Sequence, residues 1–166
     1  MPATYEPIAT TTLGSAASSI TFSSISGSYT DLRLVLVGTT AADIGCRLRF
    51  NSDTATNYSV TRLTGNGTTA TSDRFTSQTS IIAGASVLSA TTPTLRVFDI
   101  FSYAGSTNKT LLLSDSSDFN GTGGVSNIVG LWRSTAAITT ITLLTSDGTT
   151  NFSIGTTATL YGILKA

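Results

Sequence analysis

Residues 32–37 read LRLVLV, and this stretch decides the fold. Successive side chains of a β-strand point to opposite faces of a sheet, so the three leucines share one face. Arg33 lies on the other face with the two valines, which makes that face more polar at its start. Apolar residues at every second position are typical of a strand with one buried side. We therefore predict a β-strand here, with its leucines in a core.

The same patterning continues on both sides of this stretch. Four further clear strands are predicted from LRVFDIF at 95–101, IVGLWR at 128–133, ITTITLL at 138–144 and ATLYGIL at 158–164. Weaker candidates are residues 20–25, 58–63, 79–82, 109–114 and 152–154. Many short strands separated by turns predict an all-β fold of roughly nine or ten strands, either an antiparallel β-sandwich or a jelly roll.

Turn residues divide these strands. Asn66-Gly67 and Asp147-Gly148 are dipeptides that tolerate positive φ, so each predicts a hairpin. Residues 120–124, NGTGG, predict a mobile loop, and residues 64–80 predict a long exposed loop. Residues 83–90 have the composition for at most one helical turn.

The length of 166 residues predicts a single domain, 1–166, preceded by a short N-terminal arm of about residues 1–12. The N-terminal sequence has neither a basic start nor an apolar run, so we expect no signal peptide and no membrane association. The neighbours of Cys46 alternate between apolar residues and arginines, which predicts a buried thiol with no disulfide partner.

Composition excludes most chemistry. Ser and Thr make up a third of the chain, which has no His, one Cys and one Glu. Without His, the usual catalytic triads and imidazole metal ligands are ruled out. Only 11% of residues are charged and the net charge is zero, so no electrostatic footprint for nucleic acid exists. A weakly charged surface gives little protection against self-association, which favours a protein that functions in an assembly.

Carboxylates offer the one remaining route to catalysis. Asp115 and Asp118, with Asn120 nearby, have the oxygen groups for glycoside hydrolysis or for Ca²⁺ binding. Their spacing does not match a twelve-residue calcium loop. We therefore predict no catalytic residue, no metal site and no cofactor, and interpret these three residues, with Asn66, as loop contacts.

Arginines and tyrosines are the candidate interface residues. Seven of the nine basic residues are arginines, a type favoured at protein interfaces because it makes rigid bidentate contacts. The predicted interface set consists of Arg47, Arg49, Arg62, Arg74, Tyr5 and Tyr58. Asp99 interrupts an apolar strand and is interpreted as a solvated strand residue, with two alternatives. If it faces inward it needs an arginine partner such as Arg33 or Arg133, and if it faces outward it pairs across a subunit boundary.

Several segments together resemble small virion proteins of tailed bacteriophages, notably those that infect cyanobacteria. They are residues 130–138 (GLWRSTAAI), 158–163 (ATLYGI), 5–13 (YEPIATTTL), 48–53 (LRFNSD) and 57–59 (NYS). The resemblance spans nearly the whole chain and carries no catalytic residue. It implies a jelly-roll β-sandwich on phage particles, oligomeric and often trimeric.

The leading hypothesis is a non-enzymatic capsid decoration, or cement, protein that forms homo-oligomers and binds the major capsid protein. It would be made in the host cytoplasm and lie on the virion exterior. The alternative is a tail-fibre or baseplate protein that recognises host glycans through residues 64–78 and 115–125. A polysaccharide hydrolase using Asp115 or Asp118 is the least favoured function.

Overall fold

β-Strands make up the regular secondary structure of the computed structural model, which describes residues 4–84, 87–119 and 122–164. The strands are β1 (Tyr5–Thr12), β2 (Ser19–Phe22), β3 (Asp31–Gly38), β4 (Cys46–Phe50), β5 (Tyr58–Gly65), β6 (Ala70–Gln78), β7 (Ile81–Ile82), β8 (Thr94–Phe101), β9 (Lys109–Phe119), β10 (Thr122–Trp132), β11 (Ile141–Thr145) and β12 (Thr157–Ile163). Within the described ranges there is no helix, and hence none long and apolar enough to cross a membrane.

The strands form two antiparallel sheets in jelly-roll order. The larger sheet runs β1-β12-β3-β8-β9-β10-β5-β6, and the smaller runs β2-β11-β4-β7. Four antiparallel pairs are nested along the chain: β1 with β12, β2 with β11, β3 with β8, and β4 with β7. Successive pairs alternate between the two sheets, which is the arrangement of a double Greek-key sandwich. The predicted all-β, jelly-roll-like fold is confirmed.

Two inserted hairpins enlarge one of the sheets. The β5-β6 hairpin lies between β4 and β7 in the chain, and the β9-β10 hairpin lies between β8 and β11. β9 pairs with β8, and β10 pairs with β5, so both hairpins continue the larger sheet to eight strands. The described residues thus contain twelve strands, more than the nine or ten predicted.

The core lies between the sheets and has the predicted alternation. In β3, Leu32, Leu34 and Leu36 are 0%, 0% and 1% exposed. Phe98 and Ile100 of β8 are also buried against this cluster. From the smaller sheet, β4 buries Cys46, Leu48 and Phe50 and leaves Arg47 and Arg49 partly exposed, so the Cys46 thiol is inside as predicted. Burial of this apolar surface is the main stabilising term of the fold.

The segment predicted to be an N-terminal arm is instead the edge of the larger sheet. β1 pairs with β12 along its whole length, with a bulge between Pro7 and Ala9. Proline has no N–H to donate and a bulge interrupts the pairing pattern, so both features are suited to a strand with one open edge. The prediction failed because alternation is weak in this Thr-rich stretch.

Two loop predictions are also wrong. Residues 64–80 are not a long loop: they contain the last two residues of β5 and the whole of β6, joined by a tight turn in which Gly67 has φ 87°. The Asn66-Gly67 hairpin is therefore confirmed. Asp147-Gly148 does form a turn with positive φ at Gly148, but it joins β11 of one sheet to β12 of the other and so makes no hairpin.

The glycine-rich segment at 120–124 also differs from its prediction. Residues 122–124 belong to β10, because the β9-β10 pairing continues to Thr122 opposite Phe119. Residues 120 and 121 lie outside the described residues. Most of the predicted loop therefore belongs to a long hairpin.

Candidate interaction surface

The outer face of the eight-stranded sheet, the face turned away from the core, exposes several large apolar side chains. Of the eight large hydrophobic residues that are exposed in the described part of the chain, seven belong to this sheet and only Ile154 lies elsewhere. The seven are Tyr5, Val37, Leu63, Leu95, Phe101, Val125 and Val129. A contiguous apolar patch on a folded protein usually marks an interaction site.

Strand register places some of these residues beside another apolar side chain. Val37 is directly opposite Leu95 across the β3-β8 pair. Val129 is opposite Leu112 across the β9-β10 pair, and Leu112 is opposite Asp99. Directly opposed side chains on one face are separated by about 4.5–5.5 Å between Cβ atoms, so such rows form continuous surface.

The sequence contains a signal for this surface that alternation alone does not capture. β3 reads DLRLVLVG, so valines occupy the outer positions as leucines occupy the inner ones. In β9 the run Leu111, Leu112, Leu113 has the same character, with its middle residue only partly buried. A strand that is apolar on both faces needs cover on both faces. In the described part of the chain, only the inner face of the larger sheet is covered by other residues.

An ion pair lies at the centre of the outer face. Arg33 Nε donates to Asp99 Oδ1 at 2.6 Å, and Arg33 Nη2 donates to Asp99 Oδ2 at 2.8 Å. The hydrogen bond to Asp99 raises the pKa of Arg33 above its usual value. The guanidinium also lies 5.5 Å from the ring centroid of Tyr5, which packs edge-on against Tyr161. Asp99 therefore has Arg33 as its partner, as one alternative predicted, but the pair lies on the outer face and not in the core as that alternative required.

A shallow apolar groove continues the outer face toward the ends of β5 and β10. Its volume is about 210 Å³. It is lined by Leu63, Thr64, Gly65, Ala70, Val125 and Asn127. The register places Val125 opposite Gly65, where the missing side chain leaves the space. The groove is a depression in the outer face into which an apolar side chain of another molecule can insert.

The four predicted interface arginines are divided among three places. Arg62 forms an ion pair with Asp73, with Nη2 2.5 Å from Oδ2, and packs over the ring of Phe75. Arg74 is exposed on the edge strand β6. Arg47 and Arg49 lie on the smaller sheet, on the opposite side of the sandwich. The structure therefore does not bring the four together into one site.

The prediction that Tyr58 is an interface residue is wrong. Its side chain is completely buried and packs against Phe50 and Trp132. Its hydroxyl donates to the backbone oxygens of Phe50 and Asp53. Burial raises the pKa of Tyr58 to about 12. Tyr58 starts β5 on the inner face, so it contributes to the core. Tyr5, by contrast, is 45% exposed and remains available as an interface residue.

The predicted loop contacts have less in common than expected. Asn66 Oδ1 accepts from the backbone N–H groups of Thr68 and Thr69, so this side chain stabilises its own turn. Asp115 and Asp118 are not loop residues: their backbone belongs to β9. Asn120 lies outside the described residues.

No group of three or more His, Cys, Asp or Glu side chains within the described ranges is arranged to hold a metal ion. Comparison with protein-family models, with curated proteins and with solved structures gives no match for this chain.

Proposed function

We propose that this protein is a non-enzymatic structural component of a bacteriophage virion, a capsid decoration protein that forms homo-oligomers and binds the major capsid shell. One observation supports this most: the outer face of the eight-stranded sheet carries an apolar surface that no described part of the chain covers. The sequence resemblance to small phage virion proteins is the reason for proposing a phage capsid as the assembly that this surface joins.

The chemistry of the surface is suited to packing in many copies. Side chains such as Leu95 and Val129 lie on rigid paired strands, so little conformational entropy is lost when they are buried against a neighbour. The net charge of zero reduces repulsion between copies. Binding that occurs only to the assembled shell stabilises the shell by mass action, and many sites multiply the effect.

The alternative, a tail-fibre or baseplate protein that recognises glycans, has one observation in its favour. The β10-β5 pairing places the turn of the β5-β6 hairpin beside the far end of the β9-β10 hairpin, since Gly65 is opposite Val125. Residues that the sequence predicted to be two separate recognition loops therefore share one end of a sheet. In this alternative, that end of the sheet would carry the receptor-binding surface.

Copy number on the particle tests the two functions. We expect quantitative mass spectrometry of purified virions to find hundreds of copies of this chain per particle, as a shell component requires. A few dozen copies or fewer, with binding to host glycans on an array, would indicate a tail protein instead of a shell protein. Absence from purified virions would overturn the proposal.

A further inference from the structure

A second surface, the basic cleft, lies on the opposite side of the sandwich. It opens beside β4, where the chain passes from β6 of the larger sheet to β7 of the smaller one. Its volume is about 540 Å³. The lining consists of Arg47, Arg49, Gln78, Thr79, Ser80, Leu144, Thr145, Ser146, Asp147 and Gly148. Hydroxyl, amide and guanidinium groups dominate this lining.

The two arginines in the basic cleft use little of their bonding capacity. Arg47 Nη1 donates to Ser80 Oγ at 3.4 Å, and Arg49 Nε donates to the Thr79 backbone oxygen at 3.4 Å. Each guanidinium has five N–H donors in a planar fork. Arg33, by comparison, makes two short bonds to one carboxylate, both below 3 Å. The donors of the cleft arginines are thus mostly available to a ligand.

The carboxylate that lines the basic cleft, Asp147, bonds within its own turn and forms no ion pair with Arg47 or Arg49 among the described residues. Asp147 Oδ1 accepts from the N–H groups of Thr149 and Thr150, each at 3.0 Å, and Oδ2 accepts from Thr150 Oγ1 at 2.7 Å. These bonds lower the pKa of Asp147, so it stays charged while committed to its own turn. Asp53 attracts Arg49 at longer range, but its Oδ2 accepts from Trp132 and Asn57.

Arg47 and Arg49 also lie on one face of β4, two residues apart, which places their Cα atoms about 7 Å from each other. The two guanidinium groups line the same cleft, so their positive charges repel each other and an anion between them relieves the repulsion. Carboxylates fit the guanidinium fork with two parallel hydrogen bonds. The basic cleft therefore has the charge and donor geometry for a carboxylate ligand.

We propose that the basic cleft binds an acidic segment of a partner protein through its aspartate or glutamate carboxylates. The lining contains no aromatic ring, which is the group that stacks on the apolar face of a sugar, so a protein carboxylate is favoured over an acidic glycan. This inference concerns the smaller sheet only. It stands whether or not the outer face of the larger sheet binds a phage shell.

Titration with a short Glu-rich peptide tests the proposal, with the Gln-rich peptide of the same length as the uncharged control. Amide chemical shifts of the ¹⁵N-labelled protein report where the peptide binds. We expect saturable shifts at Thr79, Ser80, Ser146 and Gly148 with the Glu-rich peptide only. The affinity should fall with added salt, because the contact is between charges.

Variants distinguish the basic cleft from general attraction of anions. Arg47→Gln and Arg49→Gln should each weaken binding about tenfold or more, because each removes a charged hydrogen-bonding partner. Arg74→Gln is the matched control: it removes the same charge from an exposed residue outside the cleft and should leave the affinity unchanged. Circular dichroism of each variant checks that the fold is retained.

Three results would overturn the proposal. One is no shift in the cleft at millimolar Glu-rich peptide. Another is equal weakening by Arg74→Gln and Arg47→Gln, which would indicate nonspecific attraction. The third is binding of an oligogalacturonate, but not of the peptide, through the same residues, which would make the ligand a glycan. The copy number on the virion does not depend on any of these three results. A cleft that binds no acidic peptide would therefore not contradict the proposed function, which is tested separately.

Discussion

Trp132 donates its indole N–H to Asp53 Oδ2 at 2.7 Å, and this bond ties the last residue of β10 to the turn after β4. Trp132 is buried and stacks on Tyr58. The same carboxylate accepts from Asn57 Nδ2 at 2.9 Å and from the Ala55 N–H at 2.8 Å. Asp53 therefore holds one of the inserted hairpins onto the jelly roll.

We predict that Asp53→Ala lowers the free energy of unfolding by about 2–3 kcal/mol, because it leaves a buried indole N–H without an acceptor. Urea denaturation at neutral pH measures the loss. Trp132→Phe removes the donor instead, and the double variant should cost clearly less than the sum of the two single variants. A cost near zero for Asp53→Ala, or full additivity, would show that the bond contributes nothing to stability.

The second prediction concerns alkaline pH and the thiol of Cys46. Burial raises the pKa of Cys46 from its ordinary value of 9.0 to about 11, despite opposing effects from Arg96 and a backbone hydrogen bond. The unfolded chain therefore releases this proton first as pH rises. The resulting contribution to stability is complete below pH 9 and is lost between about pH 9 and 11.

Cys46→Ala removes that contribution. Wild type should lose about 2 kcal/mol more than Cys46→Ala when unfolding is measured at pH 8 and again at pH 10.5. Buried Tyr58 destabilises the fold in the same direction at high pH, but it is present in both proteins and cancels in the comparison. Parallel pH profiles for the two proteins would contradict the prediction.

Alternation predicted which side chains enter the core, because burial selects apolar residues at every second position. The leucines of β3 and the thiol of β4 are where this pattern places them. Strand order is different, since pairing joins residues far apart in the chain. Nothing local to Thr157–Ile163 shows that it lies between β1 and β3. Strand number and spacing thus predicted a sandwich or jelly roll, and the structure gives both the strand order and the register.

The candidate site was harder to predict than the core for a related reason. Tyr5 and Tyr58 are the same residue type in similar Thr- and Ser-containing surroundings, yet one is exposed and the other is buried. Which face of a strand is covered depends on the other sheet, which is distant in sequence. The valines of β3 did carry a signal, because an apolar residue at an outer position has no reason to be there unless something covers it.

The third prediction concerns Gly162 in β12, where a side chain has no room. A Cβ at this position would lie 2.4 Å from the ring of Tyr29. We expect Gly162→Ala to lower the melting temperature and to cost about 2–3 kcal/mol, the range of overpacked cores. Gly14→Ala, where nothing lies within 4 Å, is the neutral control. Tyr29→Ala should restore part of the loss in a double variant. If Gly162→Ala and Gly14→Ala melt together, the packing here is looser than the structure shows.

The last prediction tests whether the outer face of the eight-stranded sheet binds other copies. Val129 is 52% exposed on that face, so Val129→Lys puts a charge into the patch without removing core contacts. We expect the variant to fold normally and to self-associate at least tenfold more weakly than wild type, because association would require burial of an unpaired charge.

Thr21→Lys, exposed on β2 of the smaller sheet, is the matched control and should associate like wild type. Sedimentation equilibrium over a range of concentrations measures all three proteins. A wild type that remains monomeric at about 100 μM, or equal weakening by the two lysine variants, would remove this face as the self-association surface.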